Sequence, residues 1–228
     1  MSLDRRTDRW EALRARIANA TGPEFLARCK RFSAVDGTTL NITPQLLHLF
    51  RDNDFNFRRG IVGCALSHLA LWREVAAQAD GACLIFEDDV QLGPDFCGQL
   101  VELCGELVES HQDYDLVLLG YQVWDAASAD LAVRNDVSTR LRPMHWACYL
   151  GGLYAYLISS RGARRLLAMV ERDGVQNGID WFVMKKGSEL NAFQCAPHIA
   201  FSTLAIPGST TDSDIQHDMV PVPTIMAT

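Results

Sequence analysis

Three consecutive carboxylates, Glu87, Asp88 and Asp89, close the apolar run Cys83-Leu84-Ile85-Phe86, and Val90 follows them. A short apolar run of this kind reads as a buried strand, although periodicity alone does not separate it from a buried helical segment. Adjacent acids repel one another and lose solvation when buried, so something must compensate them. A divalent cation does so economically, because hard oxygen ligands suit Mg²⁺ and Mn²⁺. A solvated acidic turn is the competing outcome, and the triplet alone does not choose. A second acidic pair, Asp212 and Asp214, flanks Ser213. One residue apart in an extended segment, the two side chains point the same way. At the other end of the chain Arg5, Arg6, Arg9, Arg14, Arg16, Arg28, Lys30 and Arg31 crowd together. A carboxylate-held metal neutralises a diphosphate while nearby arginines bind further phosphate oxygens, which is the chemistry of a nucleotide-diphosphate substrate. A solvated helix face is the other use for such arginines.

Composition removes several function classes. The 228 residues are 48% hydrophobic and 21% charged, with a formal charge of −7. That balance suits a globular domain and disfavours non-specific nucleic-acid binding, which needs basic residues against phosphate. No apolar run reaches the ~20 residues that span a bilayer. The start, Met1-Ser2-Leu3-Asp4-Arg5-Arg6, turns polar at once, unlike a secretory signal. Seven scattered cysteines without C-x-x-C spacing argue against a zinc ribbon or a disulfide framework. The expectation is a soluble cytoplasmic protein, with peripheral membrane association left open. The phosphate-binding patterns G-x-x-x-x-G-K-[ST] and G-x-G-x-x-G do not occur, nor does the G-x-S-x-G elbow.

The elements that must position the acids follow from period and punctuation. Trp10, Leu13 and Ile17 fall at helical spacing until Thr21-Gly22-Pro23. Residues 30–37 read as a short strand and turn, and Thr43-Pro44 as the capped start of a short helix. Gly60-Ile61-Val62-Gly63 opens a largely buried helix to Ala77, and its glycines permit close approach of a neighbour or ligand. Ser67 and His68 stand inside it as a hydrogen-bonded core pair or as contacts to a bound ligand. Gly93-Pro94-Asp95 turns into a helix carrying Phe96, Leu100, Leu103 and Leu107, and Asp115 to Gly120 is a second buried strand. Residues 124–142 read as a long excursion, 147–152 as a loop, 153–158 as a strand and 159–167 as an amphipathic helix. Another helix starts at Gly178-Ile179-Asp180, and Phe193 to Ala196 reads as a strand. Alternating strands and helices predict βαβ units, a mainly parallel sheet flanked by helices, and one domain over residues 1–228. Ligands of such sheets bind beyond the carboxyl ends of strands, where Glu87 to Asp89 lie.

The blocks Ser2 to Arg9, Phe32 to Gly37, Gly60-Ile61-Val62-Gly63-Cys64-Ala65-Leu66-Ser67-His68 and Leu84 to Val90 occur in this order. Together they closely resemble family 25 glycosyltransferases, the group of lipooligosaccharide and collagen galactosyltransferases. The likeness continues through Asp115 to Gly120, Tyr156-Leu157-Ile158-Ser159, Gly162-Ala163, Asp180 and Asp212-Ser213-Asp214-Ile215. It implies a GT-A fold, an α/β sandwich that uses an Asp-x-Asp-like motif with Mn²⁺ or Mg²⁺. It also implies inverting transfer of a sugar, most often galactose, from a UDP-sugar to a hydroxyl of a saccharide (as in lipopolysaccharide biosynthesis) or of hydroxylysine in a protein.

Carried onto this chain, the resemblance makes Asp89 the direct metal ligand, places Asp88 on the ribose or donor sugar, and has Glu87 support the site. Asp180 and Asp214 are candidates for the base that takes the acceptor's proton. Asp180, at a helix start where a carboxylate is held ionised, equally suits a structural cap. Asp212 is a candidate second metal ligand, with His198 and His217 as further donors or plain surface imidazoles. Arg5, Arg6 and Arg9 match the family's Leu-Asp-Arg-Arg block and are expected on the nucleotide. Family members carry several apolar residues before that block, so the first strand is expected to be short here. A catalytically inactive, transferase-like accessory domain and a metal-dependent phosphohydrolase are the alternatives.

Overall fold

The computed structural model describes residues 1–110, 113–123 and 139–202. Asp212, Asp214 and His217 lie outside the described residues.

Strand β3 (Ala82–Phe86), strand β5 (Leu116–Val123), strand β6 (Leu141–Pro143), strand β7 (Tyr149–Ser159) and strand β8 (Ala192–Cys195) form a five-stranded sheet in the order β3-β7-β5-β8-β6. Its middle strands are apolar without alternation, because helices cover both faces. Leu116, Leu118, Tyr156 and Ile158 point to one face, against Leu69 and Trp72 of α4 (Arg59–Ala76) and Ala163 and Leu166 of α6 (Ser160–Asp173). Val117, Leu119, Ala155 and Leu157 point to the other, against Leu13 and Ile17 of α1 (Thr7–Thr21) and Phe96 and Leu103 of α5 (Phe96–Glu109). The period of two along each strand thus divides the core into two layers.

The expected mainly parallel sheet is not what forms. Only β5 and β8 pair parallel in the five-stranded sheet, whereas β3 with β7, β5 with β7, and β6 with β8 are antiparallel. The strand-helix alternation from β3 through α5 to β5 does set those two strands in one direction. It does not make them neighbours, because β7 returns the chain between them and runs the opposite way. The glycine pair Gly151-Gly152, expected in a loop, lies inside β7 with φ of 156° and 95°. Pairing with β5 shifts register at this level, so the strand passes through an irregularity rather than starting after it.

Local signals account for most element ends. Thr43 Oγ1 accepts from Leu46 N at 3.2 Å with Pro44 behind it, opening α3 (Pro44–Leu49). Ser159 Oγ accepts from Gly162 N at 3.0 Å at the start of α6, and Gly174 closes that helix at φ 74°. Pro23 opens a helix that the sequence reading did not foresee, α2 (Pro23–Arg28). Strand β1 (Ser2–Leu3) pairs parallel with β2 (Ser33–Ala34), and Met1 N donates to Phe86 O at 2.7 Å beside the end of β3. Strand β4 (Val90–Leu92) pairs antiparallel with β9 (Ala200–Ser202). Helix α7 spans Ile179–Lys185. Among the described residues no helix is long and apolar enough to cross a membrane.

Candidate active site

A cavity of about 670 Å³ opens beyond the carboxyl end of β3. This lies within the 300–1,000 Å³ usual for small-molecule sites. Its walls come from β1, the Val35–Thr38 turn, the amino end of α4, the acidic turn, the glycine step of β7, the start of α7 and Ser202 at the end of β9. Among the described residues six carboxylates line it (Asp36, Asp54, Glu87, Asp88, Asp89 and Asp180) against three arginines (Arg5, Arg9 and Arg58).

Backbone contacts build the acidic turn. Glu87 N donates to Tyr154 O at 2.9 Å, and Val90 N to Glu87 O at 3.3 Å. Arg16 of α1 reaches under the turn and donates from Nη2 to Asp88 O at 2.5 Å and from Nε to Val90 O at 2.9 Å. Asp89 is buried, and Ser202 Oγ donates to its Oδ2. Burial first, and the charge of Glu87 second, push the Asp89 carboxyl up to about 6. Asp88 forms an ion pair with Arg9 Nη2 at 2.5 Å, and its pKa is raised by burial against the opposing pull of Arg9. Glu87 Oε1 lies 3.1 Å from His68 Nε2.

The opposite wall is set by glycines. A Cβ on Gly63 would sit 2.6 Å from Val35 O and 2.7 Å from Gly37 N, so α4 closes on the Val35–Thr38 turn only because residue 63 has none. Ser67 Oγ completes that contact, accepting from Val35 N at 2.8 Å and donating to Gly63 O at 2.7 Å. On β7, Gly152 N donates to Asp180 Oδ2 at 3.0 Å, while Trp181 N donates to Asp180 Oδ1 at 2.8 Å. Burial raises the Asp180 pKa, and these two backbone donors oppose it.

The structure thus brings Glu87, Asp88, Asp89, Asp180, Arg5, Arg9 and Ser67 to one cavity. Arg5 Nε donates to Asp36 Oδ2 at 2.8 Å. Burial pushes the Asp36 pKa up, but the Thr38 hydroxyl and amide, with Arg5, outweigh it and hold the carboxyl below its usual range. Arg6 instead forks onto Asp8 of its own helix, at 3.0 and 2.8 Å, and is not in the cavity lining. His68 is fully buried behind Glu87 rather than in the lining. His198 packs tilted against Tyr121, with ring centroids 4.4 Å apart and planes at 55°, and is not in the lining.

Several contributors escaped the sequence reading. Arg16 stood in the basic cluster with nothing to single it out, and Ser202 gave no signal. Cys64 lines the cavity within a block that did stand out, its thiol held well above the usual range by burial and then by the charge of Glu87. Asn177 Nδ2 donates to Asp54 Oδ2 at 2.5 Å on the far wall, a pairing that no local pattern announces.

Carboxylate oxygens are the donors that Mg²⁺ and Mn²⁺ take, and Asp89, buried beside Glu87 and Asp88, offers them. Among the described residues the ligand atoms that converge within 4.8 Å of one another are those of Cys64, His68 and Glu87, so the acidic turn does not by itself close a coordination sphere.

Residues 1–177 match the model of "Glycosyltransferase family 25 (LPS biosynthesis protein)". The chain is 28% identical to "Putative glycosyltransferase R655" of Acanthamoeba polyphaga mimivirus, over 95% of this chain and 66% of that protein. It is 31% identical to the human "Inactive glycosyltransferase 25 family member 3", over 74% of this chain and 28% of the relative. It is 30% identical to mouse "Procollagen galactosyltransferase 2", over 60% of this chain and 23% of the relative. The chain therefore spans less than two thirds of the length of these curated relatives. With the family match covering most of its residues, the chain belongs to glycosyltransferase family 25.

Proposed function

We propose that the chain is a metal-dependent, inverting glycosyltransferase of GT-A type that moves a hexose, galactose first among candidates, from a UDP-sugar to a hydroxyl. The observation that carries this reading is the acidic turn Glu87-Asp88-Asp89 on the wall of a cavity where, among the described residues, lining carboxylates outnumber arginines six to three. A diphosphate entering that field without a cation would meet net repulsion.

In this reading Asp89 holds Mn²⁺ or Mg²⁺, with Asp212 as a candidate second ligand. The bound ion supplies charge stabilisation to the leaving diphosphate. Asp88, steadied by Arg9, faces the ribose or donor sugar, while Arg5 and Arg9 stand on the nucleotide side. The acceptor oxygen attacks the anomeric carbon, the bond to the diphosphate oxygen breaks, and a carboxylate takes the hydroxyl proton. Asp180 and Asp214 are the candidate bases. The acceptor is a saccharide or a hydroxylysine-type side chain, and the reading assigns the protein to the cytoplasm.

A second reading, a non-catalytic accessory role, is favoured by the likeness to a relative whose name carries the word inactive. The deciding experiment is a screen of UDP-sugars with Mn²⁺ for thermal stabilisation and turnover, followed by acceptor trials with the best donor. Binding without hydrolysis or transfer would leave the accessory role standing. Phosphate release from simple phosphomonoesters without an acceptor would indicate a phosphohydrolase.

A further inference from the structure

Behind Glu87 lies a chain of three buried side chains whose hydrogen directions follow from donor and acceptor counts alone. Trp72 Nε1 is 3.0 Å from Tyr156 Oη, and Tyr156 Oη is 2.8 Å from His68 Nδ1. His68 Nε2 is in turn 3.1 Å from Glu87 Oε1. Trp72, Tyr156 and His68 are each 0% exposed, so bulk water does not reach them and each finds its partner within the chain of three. An indole N–H can only donate, so the Tyr156 oxygen accepts from Trp72. The phenol hydrogen must then go to the remaining neighbour, His68 Nδ1. A ring nitrogen that accepts carries no hydrogen, and the hydrogen of the ring sits on Nε2, aimed at Glu87.

We propose that Trp72, Tyr156 and His68 form a one-way hydrogen-bond chain that locks His68 as its Nε2–H tautomer and orients the Glu87 carboxyl group. The second carboxylate oxygen, Oε2, is thereby kept for the cavity, where Glu87 is part of the lining. These three are positioning residues, since none of them lines the cavity. The chain is a clamp and not a proton wire, because it ends at an indole N–H, which neither takes up a proton nor gives up its own.

The same counts decide a rival use of this corner. Ligand atoms of Cys64, His68 and Glu87 lie within 4.8 Å of one another, close enough to share a soft metal. Coordination through His68 Nε2 would move the ring hydrogen to Nδ1, against a Tyr156 oxygen that already accepts from Trp72. The phenol hydrogen would then be buried with no acceptor among the described residues. The clamp therefore works against metal binding through His68.

Nitrogen-15 NMR of the full chain labelled at histidine tests the tautomer without any assay of function, the His68 signals being those lost in His68→Gln. The expected result is an unprotonated Nδ1 and a protonated Nε2 at neutral pH. A protonated Nδ1 would overturn the proposal. In Tyr156→Phe, which keeps the ring and removes the hydroxyl, the fixed tautomer should give way to a mixture, and an unchanged spectrum would show that Tyr156 does not set it. Titration with Co²⁺ should give no thiolate-to-cobalt absorption that disappears in both Cys64→Ser and His68→Gln, and such a band would make the corner a metal site.

The catalytic consequence rests on the transferase reading. His68→Leu should lower kcat about 10–100-fold, as loss of a supporting partner does elsewhere, with donor KM little changed. His68→Gln, whose amide can still donate to Glu87, should restore most of it. Equal activity in both variants would remove the positioning role. Absence of turnover in the unaltered chain would sink the transferase reading instead, with the NMR result still deciding the tautomer.

Discussion

Ser202 donates a hydrogen bond to Asp89 across 113 positions of sequence, tying the end of β9 to the buried carboxylate of the acidic turn. That partner is a neutral hydroxyl, so this bond orders Asp89 without cancelling its charge. Asp89→Ala should abolish Mn²⁺-dependent UDP binding and transfer while circular dichroism stays native. Unchanged UDP affinity with Mn²⁺ would show that the triplet is not the metal site.

Asp89 also links pH, stability and metal. Its folded pKa, about 6, stands above the ordinary 3.8, so the folded protein binds the proton more tightly. The associated stability is present in full below the unfolded value and is lost as pH rises through 6. At neutral pH the ionised carboxylate costs up to about 3 kcal/mol in the absence of a cation. Asp89→Asn should therefore raise the metal-free Tm at pH 7.5 and leave it unchanged at pH 4. Added Mn²⁺ should stabilise the unaltered chain at pH 7.5 and much less at pH 5, where the proton competes. Thermal melts at the three pH values check both.

Asp180 receives backbone hydrogen bonds on both oxygens, from Gly152 and Trp181. In Asp180→Asn an amide NH₂ must face one of these donors, at a cost of about 1–3 kcal/mol, seen as a lower urea midpoint. If Asp180 is also the base, kcat should fall by a further ~10²–10⁴ under conditions where the variant is folded, with donor binding kept. A near-normal rate would leave it as the pin between β7 and α7.

Gly63→Ala would stabilise an exposed helix. Here the new methyl group meets Val35 O and Gly37 N at well under contact distance. We expect destabilisation of about 1–3 kcal/mol, as for overpacking elsewhere, read from chemical denaturation. A gain in stability would mean that the contact between α4 and the turn yields easily.

Arg16→Met would strip two backbone carbonyls of the acidic turn, Asp88 O and Val90 O, of charge-assisted partners. Mn²⁺ affinity should drop about 10–100-fold, as on loss of other outer partners of a metal site. Isothermal titration would show it, and unchanged affinity would mean that the turn holds its shape without α1.

Much of this molecule was legible in the sequence by itself. The unbroken apolar run Leu116 to Leu119 requires cover on both faces and has it. Thr43-Pro44 caps α3, and Phe86 passes directly into the three carboxylates at a strand end. Each depends on neighbours a few positions apart, where backbone sterics and local hydrogen bonds decide the outcome. Strand direction and partnership are different, because they depend on how distant segments return. Only the tertiary structure set β7 antiparallel between β3 and β5 and turned Gly151-Gly152 from loop into strand. Only it put His68 behind Glu87, Arg16 under the acidic turn and Ser202 on Asp89. Those contacts join residues 19, 72 and 113 positions apart, and long-range packing selects them without leaving a periodic trace in the chain.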